Sequence, residues 1–200
     1  MWVVFSGVAV VTGIVVAGCQ VMRTGYESAP YEVTRSDGKF EVRLYPALTV
    51  VETSMGEGKN GDRSFSRLFR FITGGNKKSQ KIAMTTPVFM SGNATERTMA
   101  FVMPADMKAE GVPKPEDGSV TVREQPAGQF AVLRFSGRRS SESEAAALGR
   151  LQVWMDQENL TAISGPIYGY FDPPWTPSFL RRNEVMVETK AGLNHDLSIE

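Results

Sequence analysis

One short pattern occurs twice in this chain: Val42, Arg43, Pro46 and Ala47 recur as Val122, Arg123, Pro126 and Ala127, each offset by 80 positions. The two copies lead into the same order of elements. Downstream of the first, Leu48-Thr49-Val50-Val51-Glu52-Thr53 reads as a strand, and Gly56, Gly58 and Gly61 mark a loop. Asp62 is placed to cap a helix on which Phe65, Leu68, Phe69 and Ile72 share one face and Arg63, Arg67 and Arg70 fall largely elsewhere. Gly74-Gly75 stops it, and strand-like runs come next at residues 81–90 and 98–103. After the second copy come a strand at residues 130–135 and a Ser141-x-x-Glu144 capping pattern. That pattern opens a helix with Leu148, Leu151, Trp154 and Met155 on one side, and strand-like runs at residues 167–171 and 184–188 close the half. Before each Pro the residues alternate, as in Phe40-Glu41-Val42-Arg43-Leu44, the period of a half-buried strand. Two such halves, joined by a Pro-, Gly- and charge-rich connector at residues 104–118, predict an α+β domain. Its duplicated βαββ halves form a strongly curved antiparallel sheet, or distorted β-barrel, of about eight strands flanked by two helices.

Outside the repeat the ends differ in character. Residues Trp2 to Met22 carry no charged side chain, and the run ends in Val16-Ala17-Gly18-Cys19. Small residues before a cysteine resemble a bacterial lipobox, although Met1-Trp2-Val3 lacks the basic residue usual in a signal peptide. The expected division is residues 1–18 as signal peptide or membrane anchor, 19–30 as tether, 31–190 as the folded domain and 191–200 as a flexible tail. Cys19 is then the lipidation site of an envelope lipoprotein on the periplasmic or extracellular side. A single uncleaved N-terminal transmembrane anchor satisfies the same hydrophobicity.

Chemistry is constrained by scarcity. The chain holds one cysteine and one histidine, His195, near its C-terminal end, so an intrachain disulfide is impossible and a metal site or nucleophilic triad has few ligands to draw on. No Gly-x-Ser-x-Gly, His-Glu-x-x-His or glycine-rich phosphate loop occurs. The 22 basic and 22 acidic residues balance, which argues against nucleic acid as the main partner.

Several segments resemble the SOUL haem-binding family over about residues 30 to 190. They are Phe65-Ser66-Arg67-Leu68-Phe69-Arg70-Phe71-Ile72 with Gly74-Gly75-Asn76, then Lys81-Ile82-Ala83-Met84-Thr85-Thr86-Pro87-Val88, then Gly169-Tyr170-Phe171-Asp172-Pro173-Pro174-Trp175, then Arg181-Arg182-Asn183-Glu184-Val185. The resemblance implies two βαββ halves and a hydrophobic groove beside the first helix that takes haem or another tetrapyrrole without catalysis, as a carrier, buffer or sensor.

For that groove the sequence offers Leu68, Phe69, Ile72 and Met84 as apolar lining and Lys77, Lys78 and Lys81 as cations for propionates. Phe71, off the apolar stripe, is the aromatic expected to face a ligand. Trp175 and Arg181, in the Pro-rich stretch 172–182, are candidates for a far wall. The stripe reads equally as a core face and the lysines as a solvated turn. With no histidine between residues 31 and 190, haem binding is expected to be non-covalent and without histidine ligation. Two other functions fit the same scaffold: a protein-interaction module, or a hydrolase in which carboxylates such as Glu52 and Glu184 pair in space.

Overall fold

The computed structural model describes residues 25–56, 62–92, 96–107 and 109–190. Eleven strands and two α-helices lie among them: β1 (Glu27–Ser28), β2 (Glu32–Asp37), β3 (Phe40–Tyr45), β4 (Leu48–Ser54), α1 (Ser64–Ile72), β5 (Thr85–Thr86), β6 (Val88–Gly92), β7 (Arg97–Val102), β8 (Val120–Gln125), β9 (Gly128–Phe135), α2 (Ser141–Gln157), β10 (Ile167–Tyr170) and β11 (Asn183–Thr189). Nine strands make one curled antiparallel sheet in the order β2-β3-β9-β11-β10-β6-β7-β4-β8, and β1 pairs β5 in parallel beside it. The expected curved α+β fold is therefore present. The strand added to its eight is β2, whose mostly exposed side chains gave no period-2 apolar signal.

The duplication is visible in the registers. Arg43 stands opposite Phe130 where β3 meets β9, and Arg123 stands opposite Val50 where β8 meets β4. A shift of 80 residues turns Arg43 into Arg123 and Val50 into Phe130, so both junctions are the same contact made by opposite halves. With β2 set aside, the strand order is symmetric about the central β10–β6 pair, where Tyr168 meets Met90.

Both faces of the sheet are buried. On the outer face Val42, Ala131, Leu133, Val185 and Val187 pack under Leu151, Trp154 and Met155 of α2, while Val51, Met90, Met99 and Phe101 pack under Leu68, Phe71 and Ile72 of α1. The inner face closes on itself: Tyr45 and Leu48, from strands at opposite ends of the order, share one cluster with Val50, Phe130, Val132 and Met186.

The helix ends differ from the sequence reading by a residue or two. Ser140, not Ser141, caps α2 in a reciprocal pair with Ser143, and Glu144 turns beneath the helix instead. Asp62 lies one residue before the N-cap of α1, but its carboxylate accepts from the Ser64 backbone N–H at 2.9 Å and the Ser64 hydroxyl at 2.7 Å. It thus satisfies orphan donors at the helix start. Gly74 at φ +115° takes the chain out of α1. Buried Asn76 then ties the turn together, donating to the carbonyls of Phe71 and Gln80.

Candidate functional site

The outer flank of α1 is sorted differently from expectation. Leu68, Phe71 and Ile72 follow the i, i+3, i+4 rule and all three are core residues. Phe71 is thus not the ligand-facing aromatic but one of the largest fully buried side chains. Phe65 and Phe69, expected on the buried stripe, stand to one side of it with 45% and 46% of their surface exposed. Their rings stack at 5.9 Å and 14°, and Phe65 meets the buried Phe101 edge-on at 5.3 Å. An apolar step is therefore presented to solvent from a rigid base. Half-exposing each ring forgoes about 1 kcal/mol of burial.

Exposed cations flank α1 at both ends. Arg63 at the N-cap and Arg70 on α1 are exposed, and Lys77, Lys78 and Lys81 are exposed beyond its end. The Thr73–Lys81 bridge and the bond from the Ile82 N–H to the Ile72 carbonyl bring Lys81 back beside the helix terminus. Met84 packs half-buried at the edge of the α1 core. Arg67 is committed elsewhere, donating to the Thr53 hydroxyl at 3.0 Å and to the Ser54 carbonyl.

Trp175 is 80% exposed in the loop between β10 and β11. Arg181 does not point outward as a free cation. Its guanidinium folds back onto the loop, donating to the carbonyls of Thr176 at 2.8 Å and of Pro174. Asp172 accepts from the Arg182 backbone N–H at 2.6 Å and Asn183 donates to the Gly137 carbonyl, so both are turn-formers. The loop leaves the sheet just after Tyr170, which packs against the edge of the α1 core.

Inside the curl lies an ionic network that the alternating pattern misplaced. The polar side of β3 faces in: Glu41 and Arg43 are buried while Leu44 is exposed. Arg43 grips Glu184 through two bonds, 2.7 and 3.0 Å, and also donates to Glu41 at 2.7 Å and to the Tyr45 hydroxyl at 3.1 Å. Arg182 donates to Glu184 at 2.6 Å and Arg134 pairs with Glu41 at 2.7 Å. Glu52 and Glu184 are not a carboxylate pair, since Glu52 is held by Arg123 at 2.9 Å. Another carboxylate, Glu144 in the first turn of α2, sits with Arg97, Arg139 and the Tyr170 hydroxyl. Burial, then the hydrogen bond to Glu144, pushes the Tyr170 hydroxyl well above the usual tyrosine range.

Burial alone would raise the pKa of Glu184, but Arg43 and then Arg182 outweigh it and hold the carboxyl below its ordinary value of 4.5. A depressed folded-state pKa stabilises the fold above the unfolded value, and that contribution is lost as pH falls through the folded one. The urea midpoint is therefore expected to fall between pH 5 and pH 3, with a smaller drop in Glu184→Gln; equal pH dependence of the two proteins would sink this assignment.

The inner face keeps one small recess of about 30 Å³, lined by Tyr45, Leu48, Phe89, Arg123, Phe130 and Met186 among others. That is room for about two waters, against roughly 300–1,000 Å³ for an organic ligand. Among the described residues there is no histidine and no group of three or more His, Cys, Asp or Glu that could hold a metal ion. None of their helices is long and apolar enough to cross a membrane. Cys19, the segment 1–18 and the tail 191–200 with His195 lie outside the described residues.

A family model described as SOUL heme-binding protein matches residues 26–188. Human heme-binding protein 2 is 27% identical over 143 residues, 66% of this chain and 69% of the human one. Two solved structures share the fold. The EcmrR C-terminal domain has a TM-score of 0.56 at 12% identity, covering 76% of this chain and 96% of that domain. A hydrolase from Listeria innocua has a TM-score of 0.53 at 10% identity, covering 78% and 94%.

Proposed function

This chain belongs to the SOUL heme-binding protein family, and from that premise we propose that it holds haem or a related tetrapyrrole on the outer flank of α1 as a carrier, buffer or sensor and not as an enzyme. The observation that carries the reading is the exposed, stacked Phe65–Phe69 pair. A flat apolar macrocycle fits an aromatic step of this kind, and Arg63, Arg70, Lys77, Lys78 and Lys81 stand where two propionates need partners. The inner recess is an order of magnitude too small for the ring. Bound haem would supply a redox-active iron. This chain's described residues offer that iron no imidazole, so ring contacts and charge supply the affinity. Each carboxylate that a hydrolytic reading would use, Glu52, Glu144 and Glu184, is engaged by arginine, which supports a binding role. The uncharged N-terminal run supports a place at a membrane of the cell envelope.

Absorbance titration of the purified protein with haem and with metal-free porphyrin tests this. The two are expected to bind with similar affinity, and Phe65→Ala with Phe69→Ala to weaken both about tenfold, the equivalent of 1.4 kcal/mol. Haem binding far tighter than porphyrin, or a double variant that binds normally, would overturn the site.

A further inference from the structure

We propose that the loop between β10 and β11 is a membrane-docking element that inserts Trp175, Phe179 and Leu180 into the interface of a phospholipid bilayer. These three side chains are 80%, 74% and 53% exposed within six residues of chain, a concentration of exposed apolar surface. They are displayed on a stiff platform. Arg181 clamps the carbonyls of Pro174 and Thr176, and the Thr176 and Leu180 backbone N–H groups bond back to Pro173 and Pro177. The Gly137 N–H fastens the Ser178 carbonyl to the neighbouring turn. Preordered apolar tips lose little conformational freedom on insertion.

Position selects a bilayer over a protein partner. The loop starts after Tyr170, whose strand partner is Val88, and Val88 comes directly after β5 and Pro87. β5 carries β1, the chain's entry into the fold, and the Tyr31 hydroxyl accepts from Arg182 at 3.2 Å at the loop's base. The described chain thus enters the fold, at β1, at the end of the sheet that bears the loop, and the uncharged run from Trp2 to Met22 precedes that entry in sequence. The proposal rests on the membrane placement of that run given under the proposed function, which leaves only residues 23–26 of chain between the run and β1. Charge agrees: Arg138 is exposed on the turn bonded to Ser178, on the loop's side of the domain, where a headgroup phosphate would find a cation. Trp at the apolar–polar boundary with Phe and Leu beyond it is the composition an interface favours.

The test uses the full chain in vesicles of phosphatidylcholine and phosphatidylserine, with and without bromine on the acyl chains, read by tryptophan fluorescence. Trp154 is buried in the core and Trp2 is common to all variants, so the Trp175 signal is the difference between the wild type and Trp175→Phe. That difference is expected to be blue-shifted on vesicles and quenched by bromolipid. Phe179→Ser with Leu180→Ser should abolish the quenching while far-UV circular dichroism stays unchanged. A Trp175 component that bromolipid leaves untouched and aqueous acrylamide still quenches would overturn the proposal. So would a blue shift that appears without lipid and grows with protein concentration, which would assign the patch to a second copy of the chain.

Discussion

Glu184→Gln is expected to cost about 3–5 kcal/mol of stability, a large share of a domain's ordinary margin of about 5–15 kcal/mol. The network inside the curl holds three arginines, Arg43, Arg134 and Arg182, against two carboxylates, Glu41 and Glu184. Removing the Glu184 charge leaves three cations facing Glu41 alone, and Arg43 has no access to water. Truncating one partner of a buried pair strands the other, and that penalty exceeds what the pair itself contributes. Charge balance also ranks the variants. Arg43→Met leaves Arg134 on Glu41 and Arg182 on Glu184, a balanced set, so it should be the milder change. Urea denaturation of both variants at pH 7 measures the order; Arg43→Met being the more damaging would show that the bidentate geometry at Arg43, and not net charge, dominates.

Two aromatics on α1, two positions apart, should behave oppositely. Phe71→Ala empties a site that is 2% exposed beneath the helix and is expected to cost about 3–5 kcal/mol through lost burial and the cavity left behind. Phe69→Ala removes a ring that is nearly half in water, and its cost should stay near 1 kcal/mol. Porphyrin affinity should reverse the ranking: Phe69→Ala weakens binding in a folded protein, while whatever fraction of Phe71→Ala remains folded binds normally. Thermal unfolding beside porphyrin titration separates the two. A Phe71→Ala protein of unchanged melting temperature with lost binding would return Phe71 to the site.

The fold was legible because it is written twice. The spacing from Val42 to Val122 and from Pro46 to Pro126 is the spacing at which the structure superimposes its two strand junctions. The same repeat carried a signal that periodicity concealed. Arg43 recurs as Arg123, an unusual thing for a solvent-facing residue to do, yet alternation with Val42 and Leu44 assigned it to water. The pattern reports which residues alternate and is silent on which face is wet; here the inner face demands Arg43 because Glu184 is already there. On α1 the error is one of angle. A nine-residue helix turns 100° per residue, so taking Phe69 in place of Phe71 as the partner of Leu68 and Ile72 exchanges core and surface aromatics. The lysines after the helix cluster in the sequence, and all three are exposed in the structure. Phe179 and Leu180 were missed because isolated apolar residues in a loop have no period to reveal them.

The symmetric pairing also governs how the chain reaches this state. β3 and β4 are separated by two residues, yet neither is the other's neighbour in the sheet: β3 lies against β9 and β4 against β8. Each half therefore lends its first strands to the other and cannot complete a sheet from its own sequence. Joining the halves closes loops some 80 residues long, an entropic cost that the local β2–β3 and β6–β7 hairpins do not carry. Non-local strand pairing of this kind is expected to place folding on the slow, roughly millisecond-to-second side of the range for single domains, which stopped-flow refolding would measure. During that interval both halves display unpaired edges to whatever surrounds the nascent chain.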